Sequence, residues 1–149
     1  MNKRIQNGFT LIELVVVVTI LAILAAFAVP RFVSLEGQAR LASTQALAGS
    51  VRSGAALAHA MWVSQSDPAS TSVIMDGQPI TMAFGYPDAS AIENTLLEYT
   101  GFKLATAGTS AVFTKESPAG QPIPNCFVTY TPPGAANQAP QVVATTGGC

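Results

Sequence analysis

Phe9-Thr10-Leu11-Ile12-Glu13-Leu14-Val15-Val16-Val17-Val18-Thr19-Ile20-Leu21-Ala22-Ile23-Leu24-Ala25-Ala26-Phe27-Ala28-Val29 is the stretch that decides the fold. It carries no charge except Glu13. As a helix rising about 1.5 Å per residue it is about 30 Å long, the apolar thickness of a bilayer, so residues 9–29 are expected to span a membrane. A lone carboxylate in such a helix costs on the order of 3 kcal/mol to insert, which marks Glu13 as functional and in need of a partner. No lysine or arginine lies between Arg4 and Arg31. The nearest cation inside the run would be an amino terminus made by cutting the chain between Gly8 and Phe9, one helical turn from Glu13 and at the positive end of the helix dipole.

Gly8-Phe9-Thr10-Leu11-Ile12-Glu13-Leu14, with Lys3 and Arg4 ahead and the apolar run behind, resembles the class III signal of type IV pilins and pseudopilins. Pro30 falls where that family has its helix proline, and a kink or loosened segment is expected over residues 25–30. The resemblance implies that a prepilin peptidase cuts after Gly8, that the new amino-terminal Phe9 is N-methylated, and that Glu13 pairs with the terminal amine of a neighbouring subunit. Pro30-Arg31-Phe32, Gly85-Tyr86-Pro87 and a terminal cysteine pair are similar, more loosely, to type IVa pilins of the mannose-sensitive haemagglutinin type.

Two other readings fit a basic start and an apolar core. A secretory signal would be cut after Ala26-Phe27-Ala28, although its core usually runs about 7 to 15 residues and requires no acid. An uncut anchor would leave Glu13 without an evident partner.

The 149 residues suffice for one small domain and the anchor. Charged residues are only 10% of the chain, against about 25% in ordinary soluble domains, so much of the surface must be neutral and covered by other subunits. Loss of Lys3 and Arg4 with residues 1–8 would take the formal charge from -1 to -3. No basic face for nucleic acid is evident.

Beyond Pro30 the helix is expected to continue to Ser66, reaching roughly 85 Å in all. Leu35, Ala39, Ala42, Ala46 and Gly49 form one stripe at helical spacing, and Val51, Ala55, Ala58 and Trp62 a second. Glu36 and Arg40 stand four apart, a spacing that allows surface pairing. Gly37, Gly49 and Gly54 cost up to about 1 kcal/mol each in a helix interior, so close approach of another backbone is expected, either a neighbouring helix or the chain's own head.

The remainder reads as strands and turns. Residues 72–75 and 78–84 flank Asp76-Gly77, a strong hairpin signal, and Gly85-Tyr86-Pro87 marks a break. Ser90-Ala91-Ile92-Glu93 fits a capping box that opens a short helix with Ile92, Leu96 and Leu97 on its apolar face and Gly101 at its end. Further strands are expected over residues 102–106, 111–114, 126–131 and 141–145.

Cys126 and Cys149 are the only cysteines. In an exported chain an even count favours a disulfide, which would tie down the proline-rich and glycine-rich tail. The alternatives are two free thiols or half of a metal site. The pair resembles the carboxy-terminal disulfide loop of type IV pilins. His59 is the single histidine, and no nucleophile with an activating base, phosphate loop or zinc spacing is present.

The sequence therefore predicts an α+β chain in three parts. Residues 1–8 are a cleaved leader, 9–29 a transmembrane and filament-core helix, and 30–149 an amphipathic helix with an antiparallel β-sheet head. The expected role is that of a major type IV pilus subunit without cofactor, metal or enzymatic activity. It would polymerise with its own kind from the inner membrane, through the prepilin peptidase and the pilus assembly machinery, into an extracellular fibre for adhesion, motility or DNA uptake. The alternatives are a type II secretion pseudopilin and a minor pilin or tip adhesin. A major pseudopilin usually carries an acidic calcium loop and no terminal disulfide, whereas no acid follows Glu116 here.

Overall fold

A computed structural model describes residues 9–65 and 70–149. Its first element, α1, runs over Leu11–Ser64 without interruption. Among the described residues it is followed by seven strands and one 3-10 turn, an α+β arrangement. Two compact units divide at Gly37 and Gln38, so α1 contributes to both. Pro30 lies inside α1 and offers no N–H to the preceding turn.

In the unit Gln38–Cys149, two antiparallel sheets share α1 as their backing. One comprises β1 (Ser72–Met75), β2 (Gln78–Ala83) and β3 (Tyr86–Pro87). The other has β4 (Phe102–Ala107), β5 (Ser110–Glu116), β6 (Pro122–Thr131) and β7 (Gln141–Thr145) in that order. Alternation accounts for both: Val73 and Met75 on β1, Ala111 and Phe113 on β5, and Cys126, Val128 and Tyr130 on β6 all point inward.

The helix face that meets the larger sheet is Leu47, Ala48, Val51 and Ala55, packed with Ile92, Phe113, Val128 and Tyr130. Ala58, with Met61 and Trp62 at its margin, covers the smaller sheet through Val73, Ile80 and Met82. Thr44 extends the inner row at one end. The stripe expected from Val51 to Trp62 is therefore the inner one. The stripe from Leu35 through Ala39, Ala42 and Ala46 faces outward instead. Alanine occurs on every side of this helix, so spacing alone could not say which row the sheets would cover.

Asp76 and Gly77 both take positive φ, 48° and 78°, and join β1 to β2 as the expected two-residue turn. The break expected at Gly85-Tyr86-Pro87 is a second hairpin: Ala83 pairs with Tyr86 across Phe84 and Gly85, whose φ values are 52° and 84°. The helix expected after Ser90 is only a 3-10 turn, Ile92–Thr95. Its N-cap is Ala91, with no side-chain cap; Asp88 Oδ1 instead accepts from the N–H groups of Ser90 and Ala91, just ahead of the turn, at 2.8 Å each. Ile92 is buried, while Leu97 is fully exposed and belongs to no apolar face. Gly101, at φ 79°, leads into β4 and does not close a helix.

Gly54 explains one of the helix glycines. A Cβ there would lie 2.5 Å from Thr95 Oγ1 and 2.9 Å from the Thr95 carbonyl oxygen. The close approach is made by the chain's own head.

Candidate functional site

The apolar run has its side chains uncovered. Leu11, Ile12 and Phe27 expose 79%, 70% and 75% of their surface, and every large apolar residue in between is exposed as well. The start of α1 is long and apolar enough to cross a membrane. A surface of this kind demands lipid or protein around it, because a soluble monomer rarely exposes a contiguous apolar patch of more than a few hundred Å².

Thr10 and Glu13 form a reciprocal cap at the head of this helix. Glu13 Oε2 accepts from the Thr10 backbone N–H at 3.0 Å and from the Thr10 hydroxyl at 2.7 Å. The Thr10 hydroxyl oxygen accepts in turn from the Glu13 N–H at 3.3 Å. This is the Thr-x-x-Glu capping box, in which side chains satisfy helix N–H groups that have no partner within the helix. Reading Glu13 as a charge in search of a cation overlooked this neighbour, although the spacing from Thr10 was the signal. Phe9 stands just before the cap with 80% of its surface exposed. Gly8, the expected cleavage site, lies outside the described residues.

Cys126 and Cys149 are bonded to each other. Cys126 is buried on β6, and the bridge rests on α1, where Thr44 Oγ1 lies 3.5 Å from Cys126 Sγ and donates to the Arg40 carbonyl at 2.9 Å. The last residues fold back on β6, the Gly148 N–H donating to the Asn125 carbonyl at 2.9 Å. A Cβ on Gly148 would fall 1.9 Å from the Pro124 carbonyl oxygen, so only glycine fits this return. Arg52 Nη2 donates to the Val142 carbonyl at 3.0 Å and ties β7 to the helix.

His59 is stacked on Tyr86, ring centroids 4.1 Å apart, and donates from Nδ1 to the Gly85 carbonyl at 2.7 Å. Among the described residues no group of histidine, cysteine and acidic side chains could hold a metal ion.

The structure thus brings Glu13 against Thr10 and joins Cys126 to Cys149, with these two places in separate units of the chain. Residues 3–29 match the family described as the prokaryotic N-terminal methylation motif. The type IV narrow pilus major component PilA5 of Thermus thermophilus is 57% identical over 52 residues, which cover 35% of this chain and 45% of that protein. The type IV major fimbrial protein FimA of Dichelobacter nodosus is 35% identical over 107 residues, 68% of this chain and 66% of that protein. The type II secretion system core protein G of Pseudomonas aeruginosa matches 41 residues at 56% identity, 28% of this chain and 29% of that protein. The chain thus spans about half to two thirds of the length of the two pilus proteins. No solved structure matches. With an N-terminal methylation motif on an exposed apolar helix, antiparallel sheets packed on that helix's second half, and likeness to FimA beyond the motif, the chain belongs to the type IV pilin family.

Proposed function

We propose that this chain is the major structural subunit of a type IV pilus. The observation that carries the reading is the apolar surface of α1 from Leu11 to Val29, uncovered and headed by a single capped acid. Such a helix is stable first in lipid and then in a bundle of its own copies, which offers the same apolar surroundings. In this reading the prepilin peptidase cuts between Gly8 and Phe9 and Phe9 is N-methylated. The subunit waits in the inner membrane until the assembly machinery draws it into an extracellular fibre. Glu13 then pairs with the Phe9 amine of a neighbour and sets the register between subunits. Pro30 is where α1 loosens to fit the bundle. The subunit is structural and performs no catalysis.

Likeness to PilA5 and FimA, both named as major pilus components, supports the major-subunit role. The haemagglutinin-type likeness rests on Pro30-Arg31-Phe32, Gly85-Tyr86-Pro87 and the terminal cysteine pair. A pseudopilin role is less favoured, because the match to core protein G covers only 28% of the chain. Mass spectrometry of fibres sheared from cells tests the reading. The expected result is one dominant component that starts at methylated Phe9. A start at Met1 or Val29, or absence of the chain from long fibres, overturns it.

A further inference from the structure

The first hairpin of the head turns on Asp76 and Gly77, both of them exposed. Its ladder closes on the flanking pair Met75 and Gln78, so the peptide bond between Asp76 and Gly77 lies outside the paired register. Among the described residues the Asp76 carboxylate makes no hydrogen bond or ion pair.

The chain holds three aspartates, and elementary chemistry separates them. An aspartyl carboxyl carbon can be attacked by the amide nitrogen of the next residue, which closes a five-membered imide. Asp67 precedes Pro68, whose ring nitrogen has no hydrogen to lose. Asp88 precedes Ala89, and its Oδ1 is held by the Ser90 N–H, the Ser90 hydroxyl and the Ala91 N–H at 2.8 Å each. Asp76 combines an unheld carboxylate with a following residue that has no side chain.

The turn also inclines the backbone toward ring closure. Asp76 has φ at 48°, the positive value shared by the first central residue of type I′ and type II′ turns. Gly77, at φ 78°, sets type I′. Flipping the central peptide converts one type to the other and takes ψ of Asp76 to about −120°, where the Gly77 nitrogen comes alongside Cβ and faces the side-chain carboxyl. Glycine accepts either sign of φ, and the Cβ position of Gly77 faces open space, with nothing within 4 Å. Residue 77 therefore does not resist the flip.

We propose that Asp76 is a self-modification site, at which the folded head converts aspartate to isoaspartate through a cyclic imide with Gly77 and thereby loosens the smaller sheet. The Gly77 nitrogen attacks Asp76 Cγ: the N–Cγ bond forms, the Cγ–OH bond breaks, and the hydroxyl leaves with the amide proton as water. Water then adds to either imide carbonyl. Cleavage at Cγ restores aspartate, whereas cleavage at the main-chain carbonyl leaves Gly77 joined through Cγ. The second product carries an extra backbone atom into a two-residue turn, next to the pairing of Met75 with Gln78 and of Val73 with buried Ile80. The proposal is independent of the filament reading, because the hairpin lies in the unit Gln38–Cys149 and the apolar run takes no part.

The full chain is kept folded in detergent at neutral pH and physiological temperature and sampled over weeks. Peptide mapping by mass spectrometry, with electron-based fragmentation to tell the two linkages apart, reads the product at each site and separates it from Asn7-Gly8. Isoaspartate at residue 76 should exceed that at residue 88 at least severalfold. Asp76→Asn, which forms the same imide by losing ammonia, should accumulate it faster. Asp76→Gly, which keeps the turn free to take positive φ, should lose it without a change in fold. Material enriched in isoaspartate should unfold at a lower temperature than fresh material. Absence of isoaspartate at residue 76 from the folded protein, an equal yield at residue 88, no acceleration in Asp76→Asn, or an unchanged unfolding temperature of the enriched material overturns the proposal.

Discussion

Thr44, fully buried in α1, stands 3.5 Å from Cys126 Sγ and 3.7 Å from Cys149 Sγ, so the carboxy-terminal bridge closes directly against the helix. Besides it, the last residues are held by backbone hydrogen bonds from Gly148 to Asn125 and from Cys149 to Thr146. In the chain-entropy account a bridge across a sequence separation of 23 contributes about 3 kcal/mol. Cys149→Ser, or reduction of the parent, is expected to lower stability by about that amount. Chemical unfolding of the head, followed by circular dichroism with and without reductant, measures it, and the variant should show no further response to reductant.

Glu13 is held by Thr10 within its own chain, and the pilus reading asks it to serve a neighbour's amine as well. Glu13→Ala should accumulate in the membrane and give no fibres. Thr10→Val, which removes the hydroxyl but not the Thr10 N–H, should reduce fibre yield severalfold without abolishing it. Quantifying sheared and membrane fractions by immunoblot checks both. Normal fibre yield from Glu13→Ala would remove the acid from the assembly step.

Gly54 has no room for a side chain, because Thr95 sits where the Cβ would go and part of the obstruction is backbone. Gly54→Ala therefore combines a gain in helix propensity of up to about 1 kcal/mol with an overpacking cost of about 1–3 kcal/mol. A net loss of stability is expected. Gly49→Ala serves as the control: nothing lies within 4 Å of its Cβ position, so only the propensity gain remains. Unfolding midpoints of the two variants should move in opposite directions.

Tyr130 is buried beneath the larger sheet, and its hydroxyl donates to the Pro87 carbonyl at 2.6 Å. Burial first, then the charge of Asp88, pushes its pKa well above the ordinary tyrosine value. A raised folded-state pKa means that the stability held by the neutral phenol is complete below about pH 10 and declines as pH rises beyond it. Tyr130→Phe should cost about 1–2 kcal/mol at neutral pH by leaving the carbonyl unpaired, and should flatten the loss above pH 10. Stability measured from pH 7 to 11 on both proteins tests the sign.

The long helix and the first hairpin were legible because each carries a local signal that little else competes with: an apolar run and Asp76-Gly77. Three features were hidden for different physical reasons. The outward stripe through Ala39, Ala42 and Ala46 could not be told from the inner one, since alanine gives almost no contrast between faces. The second hairpin turns on Phe84, a residue that disfavours the conformation it adopts there, so no turn preference announced it. At the 3-10 turn, the Ser90 hydroxyl is drawn back to Asp88 Oδ1 and does not cap, so the box pattern opened no helix. At the candidate assembly site the acid was plain from composition. Its hold on Thr10 depended on where the helix begins, which an apolar run does not specify.

The bridge between Cys126 and Cys149 also governs which way copies of this chain can join. Strand β7 is the outermost and last strand of its sheet, the segment most free to detach and complete the sheet of another molecule. Stapled at its far end to β6, it cannot leave. Exchange of β7 between heads is thereby closed off.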